Sequence, residues 1–205
     1  YVLTGGLGPL RRQMGLAVDQ VLEIHGGWGD GSPFALSRSD DAGSLEWRGL
    51  CGAAPFLGVV SALRMTTQPL VPLWLEQRVV SPDQLPELML QAEETDSSAC
   101  LQWHWESADA VQLLRIADAP WTDAQKIEGL HQLPPLRGSA PKPPRSQTEV
   151  VGLQGPAAAE LWGAVMPDLC RLLQHRPHPF CSLACQQLGA ATQKAAVEAS
   201  SFVHR

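Results

Sequence analysis

Cys100-Leu101-Gln102-Trp103-His104-Trp105-Glu106 alternates without a break, placing Leu101, Trp103 and Trp105 on one side and Cys100, Gln102, His104 and Glu106 on the other. A period of two over seven residues is the mark of a strand with one apolar face. Two further segments upstream fit the same sheet. Leu70 to Val80 follows Pro69 and contains Pro72, so its start is extended and it reads as an edge strand. Leu45 to Leu50 sets Leu45 and Trp47 against Glu46 and Arg48. The three strands Leu45–Leu50, Leu70–Val80 and Cys100–Glu106 predict an α+β fold, with a small, mainly antiparallel sheet covered by helices.

Helical spacing surrounds these strands. Leu10, Met14, Ala17, Val18, Val21 and Leu22 stack on one face of a first helix over Gly8 to His25, ended by Gly26 and Gly27. Phe56, Val59, Val60 and Leu63 favour a second helix within Cys51 to Leu63. Ser81-Pro82-Asp83-Gln84 is a capping box ahead of Leu85, Leu88, Met89 and Ala92. Ser107 should cap a helix bearing Ala110, Leu113, Leu114 and Ala117, and Thr122 to Gln125 repeats the capping pattern before Ile127 and Leu130. Five prolines in Leu133 to Thr148 (Pro134, Pro135, Pro141, Pro143, Pro144) read as an extended spacer. Beyond it, Pro156 to Gln174 reads as a helix kinked at Pro167, and Ser182 to Phe202 as a final Ala-rich helix. The expected organisation is a mixed body over 1–132, a linker over 133–148 and a helical C-terminal segment over 149–205.

The chain has 205 residues, 44% of them hydrophobic, which suits one ordinary domain and excludes a wholly disordered chain. Charged residues make up 18%, against about 25% in typical soluble domains. The net charge of −6 argues against nucleic-acid binding through a basic surface. No apolar stretch reaches the roughly 18 residues of a membrane helix. Five cysteines (Cys51, Cys100, Cys170, Cys181, Cys185) are too few for a secreted disulfide scaffold, so a reducing intracellular compartment or an organelle matrix is expected. The chain opens on Tyr1 rather than Met, which leaves room for a tag, an arm or a processed targeting segment ahead of it.

Candidate chemistry is sparse. His175, His178, Cys181 and Cys185 fall within eleven residues and offer imidazole and thiolate ligands for zinc. Their spacing differs from that of structural zinc sites, because one couple sits among prolines and the other steps onto a helix. His104 and Glu106 share a strand face and could act as an acid–base pair, although a solvated or hydrogen-bonded sheet face is the favoured reading. Cys51 has the burial preference of a core residue. Gly5-Gly6-Leu7-Gly8 lacks both the lysine of a P-loop and the spacing of a dinucleotide loop.

Interaction signals are more numerous. Pro141 and Pro144 bracket a P-x-x-P. Leu169, Leu172 and Leu173 make an L-x-x-L-L, and Trp162 lies on the same helix. Seven tryptophans and only three lysines resemble the composition of protein interfaces. The expectation is therefore a non-catalytic accessory, scaffold or adaptor subunit, with other protein subunits as partners and no cofactor. The alternative is a small zinc-binding domain or an enzyme, built on the C-terminal His/Cys cluster or the His104/Glu106 face.

Overall fold

The alternating segment forms a strand over Ala99–Ser107, and the structure around it is an α+β fold of two antiparallel sheets with no closed barrel. The computed structural model describes residues 1–69, 71–134, 158–179, 181–194 and 199–202. The chain divides into two units, one made of Tyr1–Leu70 with Leu188–Arg205 and the other of Val71–Gln187.

In the first unit, α1 (Arg11–Met14), a 3-10 turn (Ala17–Gln20) and β1 (Val21–Trp28) replace the expected first helix. Gly15 sits at φ +81°, where a residue with a Cβ is strained, and ends α1 after one turn. The buried residues Val21 and Ile24 are three apart because β1 carries an irregular register between Val21 and Glu23. A bulge adds a residue to a strand and so imitates helical spacing. β2 (Pro33–Ser37) and β3 (Gly58–Met65) flank β1 on its two sides, in the order β2-β1-β3. Gly26 is required by close approach, since a Cβ there would lie 2.2 Å from the Val59 carbonyl oxygen.

Between β2 and β3 run α2 (Arg38–Asp41) and α3 (Leu45–Ala53). Leu45–Leu50 is thus helical, not a strand: the Trp47 amide donates to the Ser44 hydroxyl, and Trp47, Leu50 and Cys51 are buried at helical spacing while Leu45 is 81% exposed. The helix expected within Cys51 to Leu63 gives way to β3, where the β-branched Val59 and Val60 pair with Gly27 and Gly26. Leu16, Val18, Val21, Ile24, Phe34, Trp47 and Leu50 form the core of this unit.

The second unit contains β4 (Leu73–Val80), α4 (Leu85–Glu94), β5 (Ala99–Ser107), β6 (Ala110–Ala117), β7 (Gln125–Ile127), α5 (Ala158–Gln174) and β8 (Leu183–Gln186). The sheet order is β7-β4-β6-β5-β8, so β4 has neighbours on both sides and is not an edge. The capping box at Ser81 and Gln84 is present ahead of α4. The helix expected after Ser107 is instead β6, joined to β5 by a tight turn. A central strand buried on both faces shows continuous apolar residues and loses its period of two. Thr122 to Gln125 leads into β7 rather than a helix, and Ser182 to Phe202 holds β8 and a 3-10 turn over Ala190–Gln193. Pairing with the ends of the sheet overrides the local helical preference in both.

Leu101, Trp103 and Trp105 face α4 and α5 and meet Leu85, Met89, Met166 and Leu173 there. Trp103 is 2% exposed, its indole N–H donates to Met89 Sδ at 3.3 Å, and its ring stands edge-on to Trp162 at 5.7 Å. Among the described residues no helix is long and apolar enough to cross a membrane. Most of the expected linker, including Pro141 and Pro144, lies outside the described residues.

Candidate functional site

The face of β5 turned away from Trp103 carries the chemistry. Strand pairing sets His104 between Gln112 of β6 and Ala184 of β8, and Gln102 between Leu114 and Gln186. β4 extends the same rows, with Val79 opposite Gln112 and Gln77 opposite Leu114. The result is a mixed face on which Gln77, Gln112, Gln102 and Gln186, one from each of four strands, and the His104 imidazole alternate with Val79, Leu114 and Ala184. His104 is only 1% exposed, and its Nδ1 lies 3.1 Å from Oε1 of Glu106, itself 37% exposed. Both ring nitrogens of His104 are buried, so the Glu106 carboxylate is the part of the pair that meets the surface.

On the other face, towards the β7 side of the sheet, Glu76 accepts from Arg78 Nε at 3.0 Å and from the Trp121 indole N–H at 2.9 Å. The Arg115 guanidinium covers the Trp121 ring, 4.7 Å from its centroid. These contacts engage both oxygens of Glu76 and fasten the Trp121 loop, which is a structural task. A cavity of about 50 Å³ adjoins them, bordered by Arg78, Arg115 and Gln187. In the first unit, hydrogen bonding from Arg64 holds the exposed Glu23 carboxyl below its ordinary value.

The residues singled out as ligands do not converge. His175 and His178 are exposed, Cys181 is half-buried, and Cys185 packs against the tryptophan core from β8. Among the described residues no group of three or more His, Cys, Asp or Glu side chains is placed to hold a metal ion. Leu173 is buried and Leu169 packs against the same core, while Leu172 is 57% exposed. Trp162 also turns inward, onto Trp103. Cys51 is a buried core residue of the first unit. The glutamines of the mixed face were missed by sequence reasoning, because Gln77, Gln112 and Gln186 join Gln102 only through strand register.

No protein-family model matches the chain, and no curated protein matches it in sequence. Solved structures do share its fold. The Bermuda grass isoallergen BG60, one of the pollen group 4 allergens, superposes at a TM-score of 0.71 and 12% identity. That match covers 100% of this chain and 48% of the allergen. Berberine bridge enzyme, solved as a variant in complex with (S)-reticuline, gives 0.68 and 15% over 100% of this chain and 47% of the enzyme. A berberine bridge enzyme-like protein of Physcomitrella patens gives 0.51 and 16%, covering 59% and 27% of the two chains. The chain spans about half the length of the first two.

This likeness corrects two expectations. The fold is shared with berberine bridge enzyme, a protein named as an enzyme, and this finding goes against the expectation of a non-catalytic accessory, scaffold or adaptor subunit. Against the expectation of no cofactor, the likeness makes FAD the group whose fit is to be tested. Neither of the two cavities described for these units holds a whole FAD. A cavity of about 150 Å³ in the first unit and that of about 50 Å³ in the second fall short of the ~300 Å³ at which ligand pockets begin. In the first unit, moreover, Gly5 and Gly52 lie against Phe202 and Gly6 against Ala17, so those glycines already touch the protein's own chain.

Proposed function

We propose that this chain is part of a flavin-dependent oxidoreductase, in which the mixed sheet face with His104 and Glu106 contributes to the substrate site. The observation that carries the reading is a buried imidazole, 3.1 Å from a half-exposed carboxylate, on the mixed face of the sheet. The fold is shared with berberine bridge enzyme, which supports the class of reaction. Glu106, the half-exposed member of the pair, would exchange a proton with the substrate, and His104, whose ring nitrogens are both buried, would position that carboxylate and share its proton. The flavin would sit on a surface completed by further protein, and that protein is the partner this reading needs.

The full-length protein tests it. Purified and incubated with FAD, it should show the visible absorption of bound flavin, and suitable donors should bleach that absorption. Glu106→Gln should keep the flavin and lose about 10²-fold or more in turnover, the usual contribution of a proton-transfer group. A full-length protein that takes up no FAD would refute the reading, and so would a Glu106→Gln variant as active as the parent.

A further inference from the structure

We infer that the cavity between Arg78 and Arg115, within the second unit, is a binding site for a short monocarboxylate. Pairing of β4 with β6 sets Arg115 opposite Glu76 and Arg78 opposite Leu113. Both arginines therefore stand on the face that Trp103 shares, at diagonal positions of neighbouring strands. Such positions lie ~7–8 Å apart, a gap that two long side chains close between them. The cavity, about 50 Å³, has room for about three to five water-sized groups, the size of acetate or propionate.

The protein orients both guanidinium groups and leaves Arg115 without a counter-ion. The Arg115 group covers the Trp121 ring, 4.7 Å from its centroid. Glu76 is its partner in register, yet both Glu76 oxygens are engaged elsewhere. Oε1 meets Arg78 Nε at 3.0 Å, and Oε2 accepts from the Trp121 indole at 2.9 Å. Among the described residues, no hydrogen bond or ion pair engages the Arg115 guanidinium. A guanidinium stacked on a ring keeps its N–H fork in its own plane, where a planar carboxylate can accept two bonds. Stacking fixes that fork before a ligand arrives, which lowers the ordering cost of binding. Charge narrows the class of ligand. Two guanidinium groups and the Glu76 carboxylate leave one positive charge, which a monoanion balances. A phosphate dianion would instead bring excess negative charge beside Glu76. Leu88 and Leu113 supply apolar wall for a short carbon stem. The site lies on the opposite sheet face from His104, and the inference is independent of the oxidoreductase reading.

The full chain, titrated with sodium acetate at constant ionic strength, should bind it saturably in a calorimeter. So few ligand atoms set a dissociation constant of about 0.1–10 mM. Tryptophan emission should change over the same range, because the ligand draws on the group that covers Trp121. Arg115→Gln and Arg78→Gln should each weaken binding about tenfold or more, the effect of losing a charge-assisted hydrogen bond. Trp121→Phe keeps a ring under Arg115, and should bind acetate without the emission change. Absence of saturable binding by the parent would overturn the inference. So would an equal response to inorganic phosphate or chloride, or parent-like affinity in either arginine variant.

Discussion

Replacing Trp103 by Ala offers a demanding test of how α5 is seated. The side chain is almost wholly buried, and a buried indole hides ~150–250 Å². At ~25 cal/mol per Å² that area corresponds to about 4–6 kcal/mol, of which the remaining Ala keeps a part. Truncations of buried Trp cost about 3–5 kcal/mol when the cavity stays open. The edge-on contact with Trp162 adds about 0.5–1.5 kcal/mol and is absent from Trp162→Ala too. A double-mutant cycle therefore isolates it: the two losses together should fall short of their sum by about that amount. Urea denaturation followed by far-UV circular dichroism measures all four stabilities without relying on the deleted fluorophores. A loss below about 2 kcal/mol for Trp103→Ala, or a coupling of zero, would refute the packing described for α5.

Two more outcomes follow from the first unit. Gly26→Ala places a methyl group against the Val59 carbonyl across β1 and β3, and thermal unfolding should register a loss of about 1–3 kcal/mol or more; an unchanged melting temperature would contradict that register. The Glu23 carboxyl is held low by its hydrogen bond from Arg64, so the stability it supplies is present above the ordinary carboxylate range. That stability is lost as pH falls through the depressed value. Arg64→Ala should flatten this acid-side decline in melting temperature, with a small amplitude because Glu23 is exposed.

The reach of the sequence is clearest when elements are taken one by one. β5 was legible because it has one apolar and one polar face, and the Ser81 capping box because its chemistry is local. β6 was read as a helix since its two buried faces erase the period of two. β1 was read as a helix since a bulge moves its buried residues to a spacing of three. α3 was taken for a strand because six residues can alternate by chance, while its cap at Ser44 went unused. For the site, His104 and Glu106 were within reach as neighbours on one face. The glutamines around them were not, because strand order is settled by pairings between residues far apart in the chain. The His/Cys cluster had density in sequence, but the pairing of β8 with β5 carries Cys185 into the tryptophan core.

The bond from Ser201 to Arg48 spans 153 positions, and the whole of the second unit is encoded between its two ends. During synthesis, β1 to β3 and α3 leave the ribosome long before the residue that satisfies the kinked end of α3. The intervening unit has all its strands and helices in hand before that residue arrives, and so has every contact it needs to fold ahead of the part translated first. Completion of the first unit thereby follows that of the second, and a chain held on the ribosome after Gln187 should carry a finished second unit beside a first unit that still lacks this bond.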